Sequence, residues 1–407
     1  MATIRPFKAL RPVPEKAKDV SSVPYDVVDT GEARILAQGN PLSFLHVIRP
    51  EIDLPEGTYL YDESVYSKAS ENLKKLIQKN VLIQEKPPSI YIYRLSMGDH
   101  SQTGVAACCA VEEYDKNIIR KHELTRKEKE DDRLKHMLTI SAHPGPVIFT
   151  YRGTERTNAI TSEEVKNPPL YNFVDPDGVR HTIWRMGKTG EIVNAFNEIP
   201  CLYIADGHHR VAGAGRVKKV MAERHRDSTG QEEFNYFLAV MFPADQLQIF
   251  AYNRYIKDLN DLNENNFLKR IEERFELTYN GKKEPDKKEI IGMYLNGRWY
   301  ELHIPEDLYD TKDPVASLDL SVFQKSLLEP VFSIKDQKND KRIDFIGGPD
   351  NVEKLIKRVN ENGGVAFTFY PVNINELLAV ADAERIMPPK STWFAPKLRS
   401  GLLIHQF

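Results

Sequence analysis

The chain has 407 residues, room for two or three packed units at about 150 residues each. Apolar residues supply 41% of it and charged residues 28%, which excludes disordered, collagenous and fibrous chains. With 56 Lys and Arg against 59 Asp and Glu, the net charge is −3, so no overall cationic field exists to coat nucleic acid.

Residues 1–60 are rich in proline (Pro12, Pro14, Pro24, Pro41, Pro50, Pro55) and predict an irregular lead-in with a short strand at 44–48. Over 63–80, Val65, Ala69, Leu73, Leu76 and Ile77 recur at spacings of three and four, the stripe of an amphipathic helix. Segments 89–95 and 103–112 read as strands, and 126–138 as a strongly charged helix. Further strands are expected at 147–151, 202–205 and 235–242. Val211, Ala214, Val217 and Val220 predict a helix over 211–225, and 264–276 another. Asn296-Gly297 marks the two-residue turn of a hairpin over 292–303. Helices near 319–329, 351–361 and 373–382, with a strand at 365–370, lead to a stiff loop at Pro388-Pro389.

No repeat and no regular βαβ alternation is present, so the expected class is α+β (mixed α/β). The expected regions are 1–112, 113–245 and 246–407. Cys108, Cys109 and Cys201 are too few for a disulfide framework and read as small buried residues in a reducing compartment. No apolar run reaches membrane-spanning length, and the start MATIRPFKALRP lacks the apolar core of a secretory signal. The expectation is a cytoplasmic protein without membrane or nucleic-acid partners; a homodimer is allowed.

Three stretches carry chemistry. In the first, an apolar strand runs into Asp206-Gly207-His208-His209-Arg210 and a helix follows. Asp206 is a natural N-cap, and Gly207 lets backbone approach a ligand. The amides of a first helical turn converge where the helix dipole favours an anion, and cationic side chains stand on the same turn. Phosphate binding by Gly207, His208, His209 and Arg210 is the main reading. Metal ligation by Asp206, His208 and His209, and a plain capped helix with surface histidines, are the alternatives.

In the second, Thr125-x-x-Glu128 forms a capping box, which predicts that the charged helix starts at Thr125. Glu123 falls on the entry loop among Arg120, Lys121 and Arg126, a place that suits a general base; a solvated charge is the alternative. In the third, Lys390, Ser391 and Thr392 follow two prolines and precede Trp393-Phe394. That loop suits a small polar substrate, or a tightly packed turn. Gly187-Lys188-Thr189 lacks the earlier glycine of a phosphate-binding loop, because Thr182 stands there. Gly213-x-Gly215 lacks the third glycine of a dinucleotide fingerprint, because Lys218 stands there.

The combination of Pro24-Tyr25-Asp26, the run from Phe44 to Pro50, His122-Glu123-x-Thr125 with Asp132-Arg133, Ala205 to Arg210, and Met387 to Leu398 resembles the bacterial family called domain of unknown function 1015. In its motifs that family is in turn similar to an archaeal ADP-dependent free serine kinase of the ParB/sulfiredoxin-like superfamily. The resemblance implies a ParB/sulfiredoxin-like core with an extra N-terminal region and a C-terminal α/β substrate domain. It implies Glu123 as catalytic base, Asp206 as a second catalytic residue, and Gly207 to Arg210 on the phosphates of ADP or ATP, with Mg²⁺. Lys390, Ser391 and Thr392 would hold free serine, or O-phosphoserine in reverse. No metal ligand set is assigned. The chain departs from the kinase at Trp393-Phe394, where the kinase has Arg-His, and it has residues 1–110 that the kinase lacks. A ParB-like, nucleotide-dependent DNA-binding or regulatory protein is the alternative.

Overall fold

The computed structural model describes residues 1–225 and 227–407. Its class is mixed α/β, with sheets and helices interleaved along the chain. Two compact units separate: Met1–Lys121, Thr125–Leu247 and Pro396–Phe407 form the first, and His122–Leu124 with Gln248–Ala395 the second.

The first unit is built on a nine-stranded mixed sheet. Its centre is the pairing of His100–Ala110 with Tyr236–Pro243, antiparallel, and of Tyr236–Pro243 with Val147–Tyr151, parallel. Leu202–Asp206 pairs antiparallel with Val147–Tyr151 and parallel with Ile119–Arg120. Val147–Tyr151 and Tyr236–Pro243 are apolar almost throughout because they are buried on both faces. Strands on both sides of residue 112 share this sheet, so the border expected there runs through one core: Ile92, Val105, Phe149, Ile204 and Met241 belong to a single cluster. The chain passes from the first unit to the second after Leu247.

The N-terminal lead-in packs as part of the same unit. Its helix Glu63–Gln78 buries Val65, Ala69, Leu73 and Leu76 as their spacing predicts, and is capped by Asp62. Residues 44–48 are not a strand. Leu45–Ile48 is one helical turn, in which the amides of His46, Val47 and Ile48 donate to the carbonyls of Ser43 and Phe44, and the Arg49 amide to that of Leu45. A short run of four apolar residues around His46 is compatible with either state, and burial of Leu45, Val47 and Ile48 beside Leu73 and Leu76 decides it.

The second unit is a six-stranded antiparallel sheet with helices packed on it. Its hairpin Ile290–Leu295 with Arg298–His303 turns at Asn296 and Gly297, both at positive φ (46° and 79°). Asn373 and Glu376 form a capping box for helix Ile374–Asp382. The expected helix at 319–329 is present and runs on to Phe332, α-helical over Asp319–Phe323 and Glu329–Phe332 with a π-helical stretch Gln324–Leu328 between.

Candidate functional site

Strand Leu202–Asp206 ends on the Asp-Gly-His-His-Arg motif, and a seventeen-residue helix, His208–Arg224, begins at once. The N-cap is Gly207 rather than Asp206. Its φ of 101° lies in the left-handed region, which a side chain resists. A Cβ there would also stand 2.8 Å from Val147 Cγ1 and 3.0 Å from Arg210 Nε. Asp206 therefore does not cap. Its carboxylate turns sideways, accepting a hydrogen bond from Arg210 Nη2 at 3.4 Å and lying 3.3 Å from the Lys397 ammonium. Arg210 also donates to the carbonyl of Pro146. The helix start carries no side-chain cap.

The two histidines differ. His208 is 6% exposed and packs inside the unit. His209 is half-buried, and its Nε2 accepts the Arg126 amide at 3.1 Å. That nitrogen must carry a lone pair, so the neutral ring keeps its proton on Nδ1. The amide it binds is that of the N-cap residue of the charged helix, Lys127–Ile140. The predicted capping box does not form. Thr125 spends its hydroxyl on the Glu130 carboxylate, and Arg126 caps with no side-chain bond.

Behind the turn, motif residues far apart in sequence meet. Arg133 lies 3.7 Å from the centre of the Tyr25 ring and pairs with Asp132, which accepts from Tyr66. Tyr25, Arg133 and Arg210 line one cavity of about 20 Å³ with His136, His143 and Ser400. Burial pushes the Tyr25 hydroxyl up to about 12, against the opposing pull of Arg133. Gly213 has a packing purpose, since a Cβ there would sit 2.7 Å from Met137 of the facing helix.

In the second unit, the amide of Met387 donates to the carbonyl of His122 at 2.9 Å. The His-Glu pair is thereby fixed at the entrance to the Pro388–Thr392 loop. His122 is buried, while Glu123 is partly exposed. The loop itself is held from beneath by Arg254, which is fully buried and donates to the carbonyls of Tyr252, Pro389 and Lys390. Burial pushes that guanidinium down to about 9. Lys390 is exposed, takes a φ of 56°, and holds its ammonium 5.3 Å from the Tyr252 ring centre. Ser391 is buried and donates to the carbonyl of Pro388 at 2.6 Å, so its hydroxyl shapes the loop. Thr392 is half-buried. Trp393 packs edge-on to Tyr252 and against Gly347, where a Cβ would come within 2.5 Å of its ring.

Among the described residues no group of three His, Cys, Asp or Glu side chains could hold a metal ion. Asp206 does not fit a resident Mg²⁺ either, because one of its oxygens already faces two cations. Nor is any described helix long and apolar enough to cross a membrane. Sequence reading missed Lys397, Tyr25, Arg133 and Arg254 as parts of these places. For the first three, membership of the matched motifs was the available signal; for Arg254 there was none.

The family described as "Protein of unknown function (DUF1015)" matches residues 4–321. No curated protein matches the chain. Among solved structures, the chain is similar to a conserved hypothetical protein from Pyrococcus furiosus, at 12% identity and a TM-score of 0.37, covering 73% of this chain and 94% of that one. It is similar to a free serine kinase in complex with AMP, at 12% identity and a TM-score of 0.38, covering 73% and 92%. A third is SbnI with C-terminal truncation from Staphylococcus aureus, at 10% identity and a TM-score of 0.38, covering 72% and 85%.

Proposed function

We propose that this chain, which belongs to the DUF1015 family, is a small-molecule phosphotransferase that moves a phosphoryl group between ADP or ATP and the hydroxyl of free serine, in one direction or the other. The observation that carries the reading is the Gly207 turn: a left-handed glycine opening an uncapped seventeen-residue helix, with Arg210 held alongside by Asp206. Backbone amides, helix dipole and a guanidinium in one turn are the chemistry of phosphate recognition. A second support is the Met387–His122 bond, which sets Glu123 beside the Pro388–Thr392 loop. A base and a hydroxyl substrate need that proximity.

In the proposed reaction Glu123 accepts the proton of the substrate hydroxyl. The hydroxyl oxygen forms its bond to phosphorus as the bond from phosphorus to the nucleotide oxygen breaks. The nucleotide leaves one phosphate shorter, its charge met by Arg210 and the turn amides. Mg²⁺ enters only as a counter-ion carried by the nucleotide. The three cysteines are free and buried, in keeping with a reducing, cytoplasmic setting.

The test is a phosphorus NMR time course with O-phosphoserine and ADP, and with serine and ATP or ADP. Homoserine and threonine are run alongside, because Trp393 alters the substrate end. Phosphoryl exchange in either direction supports the reading; none across the nucleotide panel refutes it. Glu123→Gln is expected to lose at least about 100-fold in rate with nucleotide affinity retained. A loss under tenfold removes Glu123 from the role of base.

A further inference from the structure

We propose that the cavity behind the Gly207 turn is a binding site for one small neutral hydrogen-bond donor, and that a water bound there lets His136 and His143 position the Arg210 guanidinium. The cavity, of about 20 Å³, is lined by Arg133, His136, His143 and Arg210 among others, all in the first unit. About 10–15 Å³ is the least that admits a water, so there is room for one molecule. Three buried side-chain nitrogens of these residues have no hydrogen-bond partner among the described residues: His136 Nδ1, His143 Nε2 and Arg210 Nε. His136 is 2% exposed and His143 5%. A buried polar atom left unsatisfied costs about 1–3 kcal/mol, so three around one cavity point to a shared ligand.

The tautomers say what that ligand is. His136 donates from Nε2 to the Val47 carbonyl, so Nδ1 of the neutral ring keeps a lone pair. His143 is hydrogen-bonded to the backbone of Tyr236, and since that bond favours the protonated ring, the ring donates it. The proton of neutral His143 is thereby placed on Nδ1, and Nε2 is again a lone pair. Burial keeps both rings neutral near neutral pH. Arg210 Nε can only donate. The occupant must therefore donate twice and accept once. A halide or a phosphate oxygen has nothing to donate and would face two lone pairs. An ammonium ion cannot accept, and it would lie beside the guanidiniums of Arg133 and Arg210. Water meets all three demands, and three bonds are usual for a buried water. The consequence falls on Arg210. Its Nη1 donates to the Pro146 carbonyl and its Nη2 to Asp206. With Nε on the water, all three nitrogens are held, and the guanidinium has one orientation at the turn.

Crystals of the full wild-type chain, soaked in sodium bromide and diffracting well enough to show ordered waters, test the occupant. The expected density is one water within hydrogen-bond distance of His136 Nδ1, His143 Nε2 and Arg210 Nε, with no anomalous bromide signal. An empty cavity overturns the proposal, and so does bromide inside it. The positioning role is read by NMR from the Arg210 Nε proton, whose signal is assigned by its loss in Arg210→Lys. His143→Leu removes one acceptor, and exchange of that proton with solvent should quicken by about tenfold. His143→Gln offers a carbonyl in its place and should recover to within about threefold. Exchange unchanged in His143→Leu refutes the positioning role. None of these readouts needs the turn to bind phosphate; a protein with the water in place that transfers no phosphoryl group refutes the function proposed above and leaves this inference standing.

Discussion

Replacing Gly207 with alanine tests whether the turn is built as described. Two costs apply. A φ of 101° places the residue outside the regions open to L side chains, worth about 1–2 kcal/mol. The new methyl would also stand 2.8 Å from Val147 Cγ1 and 3.0 and 3.1 Å from Arg210 Nε and Cζ. Val147 is a central strand residue and cannot retreat, so the guanidinium must give way. Overpacking of this kind costs about 1–3 kcal/mol. The sum is about 2–5 kcal/mol of lost stability, together with displacement of Arg210 from Asp206. Gly178 provides the control, since its φ is 81° and nothing lies within 4 Å of a Cβ there. Gly178→Ala should incur the backbone cost alone, about 1–2 kcal/mol. Urea unfolding of both variants, followed by pyrophosphate titration, separates the two costs. Gly207→Ala should be the less stable by at least about 1 kcal/mol and should bind pyrophosphate about tenfold more weakly, while Gly178→Ala binds normally. If the two variants unfold alike and both bind as wild type, the close approach of Val147 and Arg210 to this glycine is wrong.

The buried histidines make the fold acid-sensitive. His136 donates from Nε2 to the Val47 carbonyl at 2.8 Å, and burial, reinforced by Arg133, pushes its pKa down from 6.5 to about 4. Below pH 6.5 the unfolded chain therefore takes up a proton that the folded chain refuses. Stability falls by about 1.4 kcal/mol per pH unit until pH 4, roughly 3 kcal/mol from this residue. His143 and His181 are pushed in the same direction by burial. Urea midpoints measured from pH 7.5 to 4.5 should drop steeply below 6.5, and less steeply in His136→Gln; a level wild-type midpoint down to pH 5 contradicts the account. Arg254→Met should strip the carbonyls of Tyr252, Pro389 and Lys390 of their donor, at about 3 kcal/mol or more in total. Limited trypsin digestion should then cut after Lys390 faster than in wild type, and an unchanged cleavage rate would show the loop to be held otherwise.

What the sequence disclosed and what it hid divide along contact range. The stripe Val65, Ala69, Leu73, Leu76 and the Asn296-Gly297 turn are local signals, and both came through intact. The strand-to-helix change at Asp206 was legible for the same reason, since an apolar run, a glycine and a helical stripe follow one another. The exact cap was not, because the choice of Gly207 over Asp206 depends on Arg210 and Lys397 competing for the carboxylate. Thr125 failed as a cap for a similar reason, with Glu130 taking its hydroxyl. Arg254 gave no signal at all. It sits in a strand whose neighbours Phe345 and Phe369 face its guanidinium, and only the fold brings three carbonyls to it.

The order of the chain explains how Lys397, remote in sequence, comes to pair with Asp206. The first unit is left at Leu247 and re-entered at Pro396, so the second unit is an insertion within it. The returning segment is structural as well as chemical. Strand Ile404–Gln406 lies between Ala9–Pro12 and Ala142–His143 in a four-stranded sheet, and Arg399 joins Asp175 and Asp177. The entropy of closing so long a loop grows only slowly with its length. A buried strand pairing and the Arg399 ion pair with Asp175 help to offset it. The same topology means that the charge cluster at Asp206 cannot exist until the last residues of the chain have been added.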